Sequence, residues 1–208
     1  MMEDREKNRI WQKITEHAEA SVSELSELRR DFHRHPEPGW MEFRTSGRIA
    51  DLLHLYGCDE VLTDQQVCKA EARMGVPEGG GMTGVIGMLH CGMGPTVALR
   101  FDIDALPVRE CEELDHFPAQ EGFRSEHAGY MHACGHDGHI AVGLGTAKLL
   151  CQMREQLHGT VKFIFQPAEE GVRGARAIVE NGHLEDVDFL LGAHMYGGSE
   201  QHPCGICI

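Results

Sequence analysis

Residues 136–166 read HDGHIAVGLGTAKLLCQMREQLHGTVKFIFQ and combine two different patterns of apolar residues. Its first part predicts a helix over 136–157, because apolar residues recur there at helical spacing. These residues are Ile140, Leu144, Ala147, Leu150 and Leu157. Its second part, VKFIFQ at 161–166, is a short apolar run that predicts a strand. A helix that leads directly into a strand indicates an α/β domain.

The rest of the chain continues this alternation. We predict helices at 9–34, 42–56 and 174–182, and strands at 85–89, 96–103 and 187–194. The alternation predicts an α/β fold with a mostly parallel sheet flanked by helices, in one domain over residues 1–208. A glycine-rich loop at 74–84 lacks the lysine of a P-loop, which excludes phosphate binding by that motif.

Composition narrows the class of protein. The chain has 208 residues, of which 41% are hydrophobic and 25% are charged, as in ordinary globular domains. Its net charge of −14 argues against nucleic acid and anionic membranes as partners. The charged N-terminus has no apolar core of a signal peptide, so we expect a cytoplasmic location and free thiols at the eight cysteines.

The segment MHACGHDGH at 131–139 carries potential metal ligands. Cys134 and His136 lie just before the predicted helix, and His139 follows one turn later. A thiolate and an imidazole in such a loop can reach one cation, for which Zn²⁺ is suitable and Mn²⁺ or Co²⁺ are alternatives. We expect the helix N-terminus to lower the pKa of Cys134. Taken alone, the motif also fits a buried cysteine with surface histidines.

The segment QPAEEG at 166–171 follows a predicted strand. In open α/β sheets, ligands bind at the carboxyl ends of strands. The adjacent carboxylates of Glu169 and Glu170 can have separate roles, one binding metal and the other acting as a general base. Alone, the pair also fits a solvated acidic turn.

Two further segments place polar residues at strand ends. GAH at 192–194 brings His194, and FDIDALP at 101–107 brings Asp102 and Asp104, which point the same way as alternate residues. Each motif has an ordinary explanation by itself. Four such segments directed to one edge of a sheet favour a metal site.

These four motifs resemble the metallopeptidase and aminoacylase superfamily of co-catalytic amidohydrolases. The resemblance is strongest to the branch with a cysteine ligand, which includes hippurate hydrolases and indoleacetyl-amino-acid hydrolases. LRRDFHRHPEPGWMEFRT at 28–45 is similar to that branch as well, and HPEPGW together with ARMGVPE at 72–78 resembles the aminobenzoyl-glutamate hydrolases within it. The resemblance implies metal-dependent hydrolysis of the amide of an N-acyl or N-aroyl amino acid.

The resemblance also implies roles for individual residues. Cys134 would bridge two divalent metal ions, His136 and Glu170 would bind one of them, and His194 the other. Glu169 would be the general base. Asp104 matches an aspartate that supports the site, whereas Asp102 stands where other branches carry a histidine ligand and is not counted as a ligand here.

Members of this family continue beyond the length of this chain. The resemblance implies a lid or dimerisation domain, a further metal-binding histidine, and a homodimer or hetero-oligomer. The apolar ending GICI at 205–208 resembles a strand in progress, so we expect a fragment or truncated product. Two alternatives therefore stay open: an inactive remnant, and a binding module that keeps the metal site for structure.

Three other features predict no function. His33 and His35 lie beside a helix end and are expected to be solvated. Arg29, Arg30 and Arg34 indicate a charged helix face. The spacing of Cys204 and Cys207 suits a redox or zinc motif, but without a second pair we interpret it as coincidence.

Overall fold

The computed structural model describes residues 2–113, 115–171 and 173–195, and for residues 2–6 the backbone alone. Its helices are α1 (Met2–Arg34), α2 (Phe43–Tyr56), α3 (Phe117–Gln120), α4 (His136–Gln152) and α5 (Ala175–Val179). Its strands are β1 (Glu60–Thr63), β2 (Val85–His90), β3 (Thr96–Asp102), β4 (Thr160–Gln166) and β5 (Phe189–Gly192).

The five described strands form one sheet in the order β1-β2-β4-β3-β5. β3 runs parallel to β4 and β5, whereas β2 runs antiparallel to β1 and β4. The α/β class and the flanking helices are confirmed, but the sheet is mixed rather than mostly parallel. The reason is that β2 runs opposite to the other four described strands, which share one direction.

Strand register brings several loops to one edge of the sheet. Asp102 at the end of β3 pairs with Gln166 at the end of β4. β2 runs the other way, and its first residue, Val85, pairs with Phe165. The loops that follow β3 and β4 and the loop that precedes β2 therefore meet at the same edge, which we call the carboxyl edge.

Two apolar clusters cover the two faces of the sheet. Phe163 and Phe165 of β4 pack into the cluster formed with α1, α2 and α4, while Ile164 between them packs on the opposite side with α5. The alternation follows from the twofold period of a strand. Full burial of one large apolar side chain contributes about 1.5–3 kcal/mol, so both faces stabilise the position of the carboxyl edge.

The boundaries differ from the predictions at a few places. α1 begins at Met2 rather than at residue 9, and α4 ends at Gln152, after which Arg154–Gln156 forms a 3₁₀ turn. β1 was not predicted, because a four-residue strand at the edge of a sheet is too short to show a clear alternation. Gly57 ends α2 as predicted, with a left-handed φ of 91° and its N–H donated to the carbonyl of His54.

The strand expected at 205–208 and the pair Cys204 and Cys207 lie outside the described residues. None of the described helices has the length and hydrophobicity that a membrane span requires.

Candidate metal centre

His136, the first residue of α4, lies at the centre of the carboxyl edge. Its side chain is completely buried, and Nδ1 donates a hydrogen bond to the backbone carbonyl of Asp104 at 2.7 Å. Nε2 faces three carboxylates, at 3.5 Å from Asp102, 3.8 Å from Glu169 and 3.9 Å from Glu170. With the proton held at Nδ1, the lone pair at Nε2 is available to a cation.

Cys134 and His194 form a second contact at this edge. Sγ of Cys134 lies 3.3 Å from Nε2 of His194, which follows β5. Nδ1 of His194 donates to the carbonyl of Met195 at 2.6 Å. This bond leaves Nε2 of His194 as an acceptor that points toward the thiol.

Asp104 supports the acidic loop after β4. Its Oδ1 accepts the backbone N–H of Glu169 at 2.9 Å, and its Oδ2 accepts that of Glu170 at 3.0 Å. Both oxygens of this buried carboxyl group are therefore engaged with the loop. Asp104 therefore orients the two glutamates.

Two groups of side chains have ligand atoms that lie within 4.8 Å of one another. The groups are Cys134, His136 and Glu170, and Asp102, His136, His139 and His194. Ligand atoms bound to one zinc ion in tetrahedral geometry lie roughly 3.3–3.8 Å apart. Among the described residues, Nε2 of His136 and Oε1 of Glu170 are buried without a hydrogen-bond partner. The structure thus brings the four expected ligands together, and the unpartnered atoms and the mixed donor set fit divalent cations.

Two residues beyond the expected ligand set also reach this centre. Asp102, which is fully buried, accepts a hydrogen bond from Nδ1 of His139 and another at 2.7 Å from Nη1 of Arg100. Nε2 of His139 in turn accepts the backbone N–H of Met195 at 2.7 Å. His139 therefore connects α4 to the segment after β5. The signal for it was present in the sequence, since it lies one helical turn after His136.

The charge balance of the centre corrects one expectation. The pKa of Cys134 is raised to about 11 rather than lowered, because burial and the nearby carboxylates of Glu170 and Glu169 disfavour a thiolate. Burial also disfavours the charged form of His136, but the carboxylates of Asp104 and Asp102 outweigh it and raise its pKa. A cation placed among these groups would reverse the local preference and favour the thiolate.

The expectation that His33 is solvated is wrong. The residue is 3% exposed, and its ring bridges Oδ2 of Asp137 and Oε1 of Glu110, each at 2.9 Å. Burial lowers the pKa of His33, but the hydrogen bonds to these two carboxylates outweigh it and raise the pKa above 6.5. Arg29 adds a hydrogen bond of 3.0 Å to Asp137. This network fixes the first turn of α4 against α1, directly behind His136.

Several known proteins are similar in sequence to this chain. Residues 98–208 match the peptidase family M20/M25/M40. The chain is 41% identical, over 210 aligned residues, to indole-3-acetyl-aspartic acid hydrolase of Enterobacter agglomerans, with 89% of this chain and 48% of that protein covered. It is 43% identical over 199 residues to one of the subunits of p-aminobenzoyl-glutamate hydrolase of Escherichia coli, with 84% and 45% covered.

A solved structure shows the same fold. The chain matches the Bacillus subtilis YXEP protein, described as a dinuclear metal-binding peptidase of the M20 family, with a TM-score of 0.70 and 41% sequence identity. The match covers 85% of this chain and 44% of that protein. The chain thus spans about half the length of the relatives it matches.

Proposed function

Because the chain belongs to the peptidase family M20/M25/M40, we propose that it forms the metal-binding part of an amidohydrolase that cleaves N-acyl or N-aroyl amino acids. The observation that carries this proposal is the convergence of a thiol, two imidazoles and a carboxylate at the carboxyl edge, with unpartnered buried donor atoms among them. Two relatives support the substrate class, since their names specify an indoleacetyl and an aminobenzoyl amide of an acidic amino acid.

The contacts at the carboxyl edge support the proposed ligands. Cys134 would bridge two divalent ions, His136 and Glu170 would complete the protein ligands of one, and His194 would bind the other. Manganese or zinc would occupy these positions, with cobalt as a substitute. When bound, the ions supply Lewis acidity that polarises the amide carbonyl and lowers the pKa of water.

Glu169 is the proposed general base. Its Oε2 lies 3.8 Å from Nε2 of His136, and its side chain is one-third exposed, so it reaches both the centre and solvent. Oε2 would accept a proton from the attacking water and donate it to the nitrogen of the leaving amine. Asp104 contributes by holding the backbone of Glu169 at the angle that directs its carboxylate inward.

The proposal extends to the rest of the enzyme, its substrate, its assembly and its location. We propose that residues 1–208 form the N-terminal part of the catalytic domain and that a lid or dimerisation domain and a further histidine ligand complete the enzyme. A small N-acyl amino acid is the proposed substrate, and a homodimer or hetero-oligomer is the proposed assembly, supported by the Escherichia coli relative, which is named as one of the subunits of a hydrolase. The proposed location is the cytoplasm.

The test compares two adjacent substitutions in the protein that carries these residues. Glu169→Gln keeps the shape of the side chain but removes the proton acceptor. We expect it to retain the metal, measured by mass spectrometry of the native protein or by titration calorimetry, and to lower kcat by about 10²–10⁴-fold toward hippurate and aminobenzoyl-glutamate. Glu170→Gln is the matched control. We expect it to bind metal more weakly than the Glu169→Gln protein, because it changes a proposed ligand.

Two results would contradict the proposal. A kcat close to wild type in the Glu169→Gln protein would exclude Glu169 as the base. A full-length wild-type protein that binds neither manganese nor zinc would exclude the metal centre itself, independently of any assay of turnover.

A further inference from the structure

In the acidic loop after β4, three consecutive backbone N–H groups donate hydrogen bonds to two buried carboxyl groups. Asp104 accepts those of Glu169 and Glu170, as described above. Oε1 of Glu42 accepts the preceding one, that of Ala168, at 2.7 Å. Glu42 is completely buried and lies 126 residues before Ala168 in the chain. Burial of a carboxyl group is unfavourable unless hydrogen bonds compensate for it, so the contacts of Glu42 indicate its role.

Helix capping does not explain Glu42. It occupies the N-cap position of α2 but makes no side-chain capping bond. The first free N–H groups of α2 are instead accepted by Glu37, whose two oxygens lie 3.1 Å from the nitrogen of Arg44 and 2.8 Å from that of Thr45. Glu37 therefore satisfies the helix terminus and leaves the carboxyl group of Glu42 available for other contacts.

Glu42 joins two loops at the carboxyl edge. Its Oε2 accepts a hydrogen bond of 2.7 Å from the hydroxyl of Thr83, in the loop before β2. Its Oε1 reaches the loop after β4. Because β2 and β4 are antiparallel neighbours, these two loops lie side by side, and the carboxyl group of Glu42 connects them.

The residue that Glu42 holds has an unfavourable backbone conformation. Ala168 has a φ of 48°, in the left-handed region that residues with a Cβ rarely adopt. Its carbonyl accepts the N–H groups of Gly174 at 2.8 Å and Arg173 at 3.2 Å. Gly39 packs so closely that a Cβ there would lie 2.9 Å from Cα of Ala168. Such a conformation persists only when surrounding contacts determine it.

We propose that Glu42 is a positioning residue of the metal centre, which holds the turn at Ala168 so that Glu169 and Glu170 project toward His136. The inference rests on the proposed function for its consequence in catalysis, but its structural part stands on the contacts alone. Loss of the acceptor at residue 42 would release the first of the three N–H groups. The turn could then relax to an ordinary conformation, which would rotate the two glutamates that follow.

Two substitutions of similar size separate hydrogen bonding from packing. Glu42→Gln keeps an acceptor oxygen, and Glu42→Met fills the same space without one. Burial raises the pKa of Glu42 to about 8, so the neutral amide is a close mimic near neutral pH. Leu89→Ala is the control for stability, because Leu89 is buried near the opposite end of β2 and pairs with Val161.

The first measurement needs neither metal nor turnover. Amide hydrogen exchange of the metal-free chain is followed in peptides that cover residues 166–171. We expect exchange to be faster by about tenfold in Glu42→Met, the factor that loss of one net hydrogen bond corresponds to, and close to wild type in Glu42→Gln and Leu89→Ala. Unchanged exchange in Glu42→Met, or equal acceleration in Leu89→Ala, would overturn the inference.

The second measurement follows the metal centre with Co²⁺ as the probe. We expect Glu42→Met to lower Co²⁺ affinity by about 10–100-fold, to alter the visible absorption of the bound ion, and to lower kcat more than it changes KM. Glu42→Gln should restore all three properties, which a purely destabilising change would not allow. A Glu42→Gln protein as impaired as Glu42→Met would overturn the inference.

Two further provisions keep the test decisive. If Glu42→Met does not fold, Glu42→Asp replaces it, since the shorter side chain keeps the carboxyl group but withdraws it from Ala168, and the same expectations apply. If the full-length wild-type protein binds no Co²⁺, the proposed function fails, whereas the exchange measurement still decides the role of Glu42 in the turn.

Discussion

The sulfur of Cys134 lies 3.3 Å from Nε2 of His194, sixty residues later in the chain. The two residues belong to different candidate groups of metal ligands, which share His136. The contact therefore joins the two groups into one continuous set of donors. A thiolate at this position could serve both cations, as proposed above.

Replacement of Cys134 by serine tests this link. We expect Cys134→Ser to abolish the thiolate-to-cobalt charge-transfer absorption of the Co²⁺-loaded chain and to lower its metal affinity by about 10–100-fold, since a soft donor is lost. Near-ultraviolet spectra during Co²⁺ titration measure both effects. Cys111→Ser is the control, because Cys111 is an exposed free thiol. An unchanged charge-transfer band in Cys134→Ser would show that the thiolate does not bind metal.

Asp102 was not counted among the ligands that the resemblance implies. Its substitution tests whether it contributes to metal binding. Its Oδ1 lies 3.5 Å from Nε2 of His136, and its carboxylate also holds His139. We expect Asp102→Asn to lower metal affinity by about 10–100-fold, because it removes a buried negative charge and the partner that orients His139. Asp188→Asn is the matched control, as Asp188 binds the N–H of Thr96 at the opposite end of β3. Equal affinities of the two variants, measured by chelator competition, would contradict the prediction.

His33 predicts a pH dependence of stability for the metal-free chain. Its pKa is raised in the folded state, since the hydrogen bonds to Asp137 and Glu110 outweigh burial. The stabilisation from protonated His33 is therefore fully present below its unfolded pKa of about 6.5 and is lost as the pH rises through the folded pKa. Arg29 also binds Asp137 and partly offsets the effect.

We expect His33→Gln to lower the free energy of unfolding by about 1–3 kcal/mol in mildly acidic solution, with a smaller deficit as the pH is raised. Urea unfolding at several pH values measures the difference between the two proteins. His54→Gln, at an exposed position of α2, should leave the pH profile unchanged. A deficit that grows with pH would reverse the sign and refute the argument.

We expect alanine substitutions at two glycines to have opposite effects on stability. A Cβ at Gly174 would lie 1.7 Å from the carbonyl oxygen of Pro167, so Gly174→Ala must displace the acidic loop. We expect it to destabilise the chain by about 1–3 kcal/mol. Gly47 lies inside α2 with nothing within 4 Å of its added Cβ, so Gly47→Ala should stabilise the chain by roughly 0.5–1 kcal/mol. Urea midpoints measure both changes, and a Gly174→Ala protein as stable as wild type would rule out the close contact.

The local pattern of apolar residues was sufficient to predict the helix and the strands that line the site. The helix that starts at His136 and the strands that end near Asp102, Gln166 and Gly192 were predicted with small errors at their ends. Helical and strand periods reflect burial of one side of an element, which neighbouring residues encode. The same pattern located Cys134 and the acidic loop at one edge, because parallel strands place their carboxyl ends together.

Tertiary structure decided what the local pattern does not contain. The position of β4 between β2 and β3 and the reversed direction of β2 were not predicted, because strand order and direction depend on contacts between distant segments. Burial of His33 against α4 and the contact of Glu42 with Ala168 join residues more than a hundred positions apart. A hydrogen bond over such a separation leaves no periodic trace, because each partner alone looks like an ordinary polar residue. Packing of distant segments brings such partners together.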